Sequence, residues 1–123
     1  SQQSGKIINI GSMTSIFGNS YSSAYAASKG GVVQYTKSCA LGWAKYNIQV
    51  NAILPGFIVT ELTKGFLQEN PKKEQIITDR TAAGRWGVPK DLEGTAVFLS
   101  SSASDFVTGT FIPVDGGYSV ALN

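Results

Sequence analysis

Three short runs rich in β-branched residues, set apart by long helix-forming stretches, constrain this chain more than any other feature. Lys6-Ile7-Ile8-Asn9-Ile10, closed by Gly11, reads as a strand buried on both faces. Ile48-Gln49-Val50-Asn51-Ala52-Ile53-Leu54 reads as a second strand, ended by Pro55-Gly56. Thr110-Phe111-Ile112-Pro113-Val114 is the third, stopped by Asp115-Gly116-Gly117, and its proline argues for a place at or near a sheet edge.

The stretches between them are helical in character. From Ser22 to Tyr46 there is no proline, and Ala24, Ala26, Ala27, Val33, Ala40, Leu41, Trp43 and Ala44 favour a helix. Gly30-Gly31 weakens that helix by about 1 kcal/mol per glycine, and glycines so placed allow another backbone, here a second helix, to come close. Residues 11–21, rich in Gly, Ser, Thr and Asn, read as a loop. Residues 60–86 are polar and helical in places, with Asn70-Pro71 as a helix start (Asn as N-cap, Pro at the first helical position). Pro89 to Ser101 reads as a further helix, with Asp91 in its first turn and Leu92, Ala96 and Leu99 as its apolar stripe. The expected order is β-α-β-(helical insertion)-α-β. Strands alternating with helices pair in parallel through right-handed crossovers, which makes this an α/β chain and half of a doubly wound, Rossmann-like sheet.

A chain of 123 residues suffices for one domain with one core. Its net charge of +2 is too small to argue for nucleic acid, and Lys72-Lys73 reads as a solvated helix face. No apolar run approaches membrane-spanning length and no signal-peptide pattern occurs, so a soluble, cytoplasmic protein with no membrane partner is expected. The single cysteine, Cys39, lies among helix formers and reads as a buried structural thiol. Histidine is absent. That removes Ser-His-Asp and Cys-His mechanisms and most zinc sites, so no metal is expected. Acid/base work near neutral pH falls to Tyr, Lys, Asp or Glu.

Tyr25-Ala26-Ala27-Ser28-Lys29 offers such a pair. On a helix these positions share one face, about 6 Å apart along the axis. A lysine ammonium there favours tyrosinate and draws the phenol pKa down from about 10. An exposed helix pair with no chemistry is the competing reading of the pentapeptide alone. Its surroundings resemble the short-chain dehydrogenase/reductase family. Gly5-Lys6-Ile7-Ile8-Asn9-Ile10-Gly11-Ser12 is similar to that family's fifth strand and catalytic serine, and Tyr25 follows Ser12 by the expected thirteen positions. Asn51-Ala52-Ile53-Leu54-Pro55-Gly56-Phe57-Ile58-Val59-Thr60 resembles its Pro-Gly segment after the sixth strand, and Val114-Asp115-Gly116-Gly117 its closing turn.

The resemblance implies a set of roles. Tyr25 is the acid/base that exchanges a proton with the substrate oxygen; Lys29 lowers its pKa and hydrogen-bonds the nicotinamide ribose. Ser12 polarises the same substrate oxygen. Pro55, Gly56, Ile58 and Thr60 meet the nicotinamide end of the cofactor, Ile58 through its backbone and Thr60 through its hydroxyl near the phosphates. The plainer reading of Pro55-Gly56 is a strand-ending turn. Asn51 is expected to brace backbone near the site, and Asp115-Gly116-Gly117 to be structural. Residues 61–87 correspond to a substrate-binding lid. Asp79-Arg80 followed by Ala83-Gly84-Arg85-Trp86-Gly87 looks most like the sugar-acid and polyol dehydrogenases of gluconate or deoxygluconate type. Arg80 or Arg85 would then pair with a substrate carboxylate, unless both hold the lid or a subunit contact. Ketoacyl thioesters and steroids are the alternative substrates. The implied cofactor is NAD or NADP, with NAD favoured through the sugar-acid resemblance, and a homo-oligomer, dimer or tetramer, is expected.

The family's Gly-x-x-x-Gly-x-Gly phosphate loop and its Asn-Asn-Ala-Gly segment do not occur in these residues, and the first residue is Ser1. The expectation is the C-terminal catalytic portion (1–123) of a single Rossmann-like domain, without its N-terminal dinucleotide-binding half. The competing expectation is a truncated, catalytically silent chain that acts as an assembly or interaction partner.

Overall fold

The computed structural model describes residues 4–122. Strand β1 (Gly5–Ile10) leads through a tight turn at Met13–Ser15 into helix α1 (Ser23–Trp43). Strand β2 (Ile48–Pro55) follows, then helices α2 (Glu61–Glu69) and α3 (Pro71–Arg80), helix α4 (Glu93–Ser100) and strand β3 (Phe111–Val114). The strands form one parallel sheet in the order β1-β2-β3. Ile7 lies opposite Val50, and Leu54 opposite Pro113. The proline thus sits on an edge strand, where its missing N–H leaves no ladder bond unmade.

β2 is the core. Val50, Ala52, Ile53 and Leu54 are all essentially inaccessible, which is what a continuous apolar run between two strands and two helix layers requires. Side chains alternate across a sheet. Val50 packs with Cys39 and Ala40 of α1, and Leu54 with Val33 and Met13, so α1 covers the face carrying the even-numbered residues of β2. Cys39 is buried in that layer, as expected. Asn9 on the same face donates from Nδ2 to Thr36 Oγ1 of α1 at 3.0 Å. α4 lies against β1 and β2 from the other face, where Lys6 reaches Asp105 at 2.7 Å.

Here the structure departs from uniformly right-handed crossovers. The chain steps sideways twice in one direction, β1 to β2 to β3, yet α1 and α4 cover opposite faces. The two connections therefore have opposite hands. The rule derives from a strand feeding a helix directly. Between β2 and α4 the chain first makes the α2–α3 excursion, which carries it to the other face.

β1 is also less buried than its sequence suggests: Ile7 is 36% and Ile10 54% exposed. Among the described residues it has a partner strand on one side only, so its apolar flank is half covered. A methyl added at Gly30 would meet the Ser15 carbonyl at 3.9 Å and one at Gly31 nothing within 4 Å; among the described residues neither abuts a second helix. A 3-10 turn, Ala44–Tyr46, continues α1 and ends where Asn47 takes a left-handed conformation, φ 57°.

The insertion is tied at both ends. Thr60 caps α2 reciprocally with Thr63: its Oγ1 accepts from Thr63 N at 3.3 Å, and its N–H donates to Thr63 Oγ1 at 2.7 Å. Pro71 opens α3 as expected, but the Asn70 side chain does not cap it; its Nδ2 donates back to Phe66 O at 3.0 Å and closes α2. The predicted helix from Pro89 divides into a tight turn, Pro89–Leu92, and α4 proper. Asp91 organises that turn by accepting from Val88 N at 2.7 Å. Ile58 and Gly87 then pair in a parallel bridge, with Val59 N donating to Gly87 O at 2.8 Å and Gly87 N to Phe57 O at 2.9 Å.

Candidate active site

The turn after β1 is built by short polar side chains bonding to nearby backbone. Gly11 N donates to Ile53 O at 2.9 Å, anchoring the turn to the central strand. Ser12 then adopts an extended conformation and caps the Met13–Ser15 turn: its Oγ accepts from Thr14 N at 3.0 Å, and Ser15 Oγ accepts from Ser12 N at 3.1 Å. The hydroxyls of Ser12 and Thr14 lie 2.5 Å apart in a hydrogen bond. Tyr25 stands in the first turn of α1, 49% exposed. One turn on, Lys29 places its Nζ 5.6 Å from the Tyr25 ring centroid, within cation–π range.

A cleft of about 920 Å³ gathers Ser12, Tyr25, Pro55, Gly56, Ile58 and Thr60 along its lining. Lys29 is not in the lining and stands beside the Tyr25 ring. The insertion supplies Thr63, Phe66, Lys73, Ile76 and Ile77, and Trp86, Pro89, Leu92 and Tyr118 complete the cleft. The lining is largely apolar, as small-molecule clefts of this size are.

Gly56 has a structural reason to be glycine: a Cβ there would come 2.7 Å from Asp115 Cα. The segment after β2 and the C-terminal turn pass each other at that point. The turn holds its shape because Asp115 accepts from Gly117 N at 3.0 Å and Ser119 N at 2.8 Å. Burial pushes the Asp115 carboxyl upward, but these bonds, led by those from Ser119, outweigh it and hold the group below its ordinary pKa. Asp115-Gly116-Gly117 is thus a structural turn. Asn51, fully buried, braces backbone elsewhere than expected: it donates to Val107 O at 2.9 Å and accepts from Thr110 N at 3.2 Å, fixing the entry to β3.

Neither arginine lines the cleft. Arg85 forms a two-point ion pair with Asp91 at 2.8 and 3.0 Å, which with the Val88 N–H holds the Asp91 carboxyl down at about 2. Arg80 lies 4.4 Å over the Tyr118 ring and donates to Tyr118 O at 3.4 Å. Both hold the insertion in place, the second of the two roles the sequence left open. Phe57 sits between Trp86 and Tyr118 in edge-on contacts with centroids 5.4 and 5.0 Å away. Sequence reading missed this aromatic cluster and also missed Lys73, which lines the cleft instead of merely facing solvent.

Residues 1–119 match the family described as enoyl-(acyl carrier protein) reductase, and nearly the whole chain aligns with proteins named as dehydrogenases and reductases. The chain belongs to the short-chain dehydrogenase/reductase family. Within it, the chain is 51% identical over 114 residues to the 2-dehydro-3-deoxy-D-gluconate 5-dehydrogenase of Dickeya dadantii (strain 3937), covering 93% of this chain and 45% of that protein. It is 49% identical over 121 residues to the 5-keto-D-gluconate 5-reductase of Escherichia coli (strain K12), covering 98% of this chain and 47% of the relative. The crystal structure of a gluconate 5-dehydrogenase from Burkholderia cenocepacia J2315, in complex with NADP and tartrate, superposes with a TM-score of 0.91 at 43% identity, covering 98% of this chain and 47% of that one. The chain spans about half the length of the curated relatives it matches.

Proposed function

We propose that the protein containing this chain transfers hydride between a nicotinamide cofactor and a secondary alcohol or ketone, its substrate a sugar acid or polyol. The observation that carries the reading is the meeting of Ser12 and Tyr25, from two separate elements, in one cleft with Pro55, Gly56, Ile58 and Thr60, and the Lys29 ammonium behind the Tyr25 ring. The gluconate-type relatives support the substrate class.

The cleft fits the nicotinamide end of a dinucleotide. The Ile58–Gly87 bridge uses the N–H of Val59 and the carbonyl of Phe57, leaving the N–H of Ile58 outside the bridge and available to an amide oxygen. The cofactor, when bound, supplies or accepts the hydride. NAD and NADP share that end, and residues outside this cleft choose between them. Residues 61–87 act as the lid over the substrate, and the chain as the catalytic part of a single Rossmann-like domain.

The protein's own groups handle the proton. Tyr25 gives its phenolic proton to the carbonyl oxygen during reduction, or takes the alcohol proton during oxidation. Lys29 sets positive charge beside the phenolate so formed and offers its ammonium to the ribose. Ser12 Oγ accepts from the Thr14 N–H and shares a hydrogen bond with the Thr14 hydroxyl, in which either oxygen can donate; with the Thr14 hydroxyl as donor, the Ser12 hydrogen is left for the substrate oxygen.

In the full-length protein, Tyr25→Phe is expected to lower kcat by about 10²–10⁴-fold while the cofactor Kd stays within about threefold. Steady-state kinetics with sugar acids, polyols, ketoacyl thioesters and steroids test it. Near-normal turnover by the variant sinks the assignment of Tyr25; preference for a thioester or steroid rejects the substrate class.

A further inference from the structure

Helix α3 turns one face to the cleft, and that face is Lys73, Ile76 and Ile77. The spacing i, i+3, i+4 makes these three neighbours on the helix surface. The ammonium of Lys73 is thereby carried to a cleft whose lining also includes Phe66, Trp86 and Leu92. No carboxylate is among the lining residues, and Lys73 is their one charged side chain. Among the described residues, the ion pairs are Lys6–Asp105, Lys64–Glu61 and Arg85–Asp91, none of which involves Lys73.

Its position is also not what helix stability alone selects. Lys73 lies in the first turn of α3, where the free amide groups already carry positive charge and an acidic residue is the favoured occupant. The Nζ stands 5.7 Å from the Phe66 ring centroid, so the face of an aromatic ring on α2 holds the cation at the cleft. The two arginines that could compete for a carboxylate are committed to Asp91 and to Tyr118.

We infer that Lys73 binds the carboxylate of an acidic substrate, which makes the cleft selective for a polyhydroxy acid over the corresponding neutral polyol. The inference rests on the hydride-transfer reading for where the reacting carbon goes: that carbon sits at Ser12 and Tyr25, and the carboxylate at the end of the same molecule held by α3. An ammonium held beside apolar side chains offers a carboxylate a charge-assisted hydrogen bond. A hydroxymethyl group in its place gains little.

The test compares D-gluconate with D-glucitol, which differ at the terminal carbon in carboxylate against hydroxymethyl. Calorimetric titrations use the full-length protein loaded with its nicotinamide cofactor, in wild-type, Lys73→Gln and Lys73→Arg forms. Wild-type protein is expected to prefer gluconate, Lys73→Gln to lose about tenfold in gluconate affinity with glucitol binding unchanged, and Lys73→Arg to retain most of the preference. With the same substrates, KM for the acid should rise in Lys73→Gln while kcat holds. Equal loss for acid and polyol, or undiminished gluconate binding in Lys73→Gln, overturns the inference. So does a wild-type protein that prefers glucitol, although Tyr25-dependent oxidation of glucitol would leave the hydride-transfer reading standing. Conversely, a protein that binds gluconate through Lys73 yet oxidises no alcohol supports the carboxylate site and rejects the reaction.

Discussion

Gly56 and Gly31 respond to a methyl group in opposite ways. At Gly56 the new Cβ meets the backbone of Asp115 at 2.7 Å, and neither strand end nor turn can yield easily. Gly56→Ala is expected to cost about 1–3 kcal/mol, the usual range for overpacking. At Gly31 the Cβ meets nothing within 4 Å, and the residue lies in mid-helix. Gly31→Ala is expected to stabilise by up to about 1 kcal/mol through helix propensity. Thermal unfolding of the full-length variants checks both signs; a loss at Gly31 would point to another helix packed there in the full-length protein. The same residue scale shows why Lys73 escaped sequence reading. Its adjacency to Lys72 suggests a solvated face, and spacing separates the two only slightly: Lys73 has Ile76 and Ile77 as helical neighbours, Lys72 only Ile76, so it takes the fold to put Lys73 in the cleft lining. By contrast Ser12, Tyr25, Pro55, Gly56, Ile58 and Thr60 were legible together, through the family's motifs, and they line one cleft.

At the scale of elements, the turn before α4 depends on one carboxylate. Asp91 is held at about 2 by Arg85 and the Val88 N–H, below the 3.8 of an unperturbed aspartate. A carboxyl with a depressed folded-state pKa contributes stability above its unfolded pKa and gives it up as pH falls toward the folded value. Asp91→Asn should therefore be less stable than wild type at pH 7 and at pH 5, and the gap should close between about pH 4 and pH 2. Denaturant unfolding across that range measures it; a constant gap would mean that the charge is not what matters. Elements themselves were largely readable, because β-branched runs and proline-free alanine-rich stretches have distinct periods. The hand of the second crossover was not readable. It follows from the α2–α3 excursion, and so does the meeting of Phe57 with Trp86 and Tyr118, residues far apart in sequence.

For the whole molecule, the exposed flank of β1 sets the behaviour of the 123 residues taken alone. Ile7 and Ile10 border an open run of backbone groups, a template for another strand. Within these residues there is also no glycine-rich turn of the kind that holds a pyrophosphate at a helix N-terminus. The isolated chain is expected to self-associate in sedimentation and to show no saturable NADH binding in the micromolar range. A monomer that binds NADH would show that this portion is self-sufficient. The Ile58–Gly87 bridge has a different consequence. It brings the two ends of the insertion side by side, so everything from Thr60 to Trp86 leaves and rejoins the scaffold at a single socket. A segment attached in that way can be exchanged for one of another length at small entropic cost, with Ser12 and Tyr25 untouched. On the proposed lid role of these residues, grafting at that socket would be a route to a change of substrate.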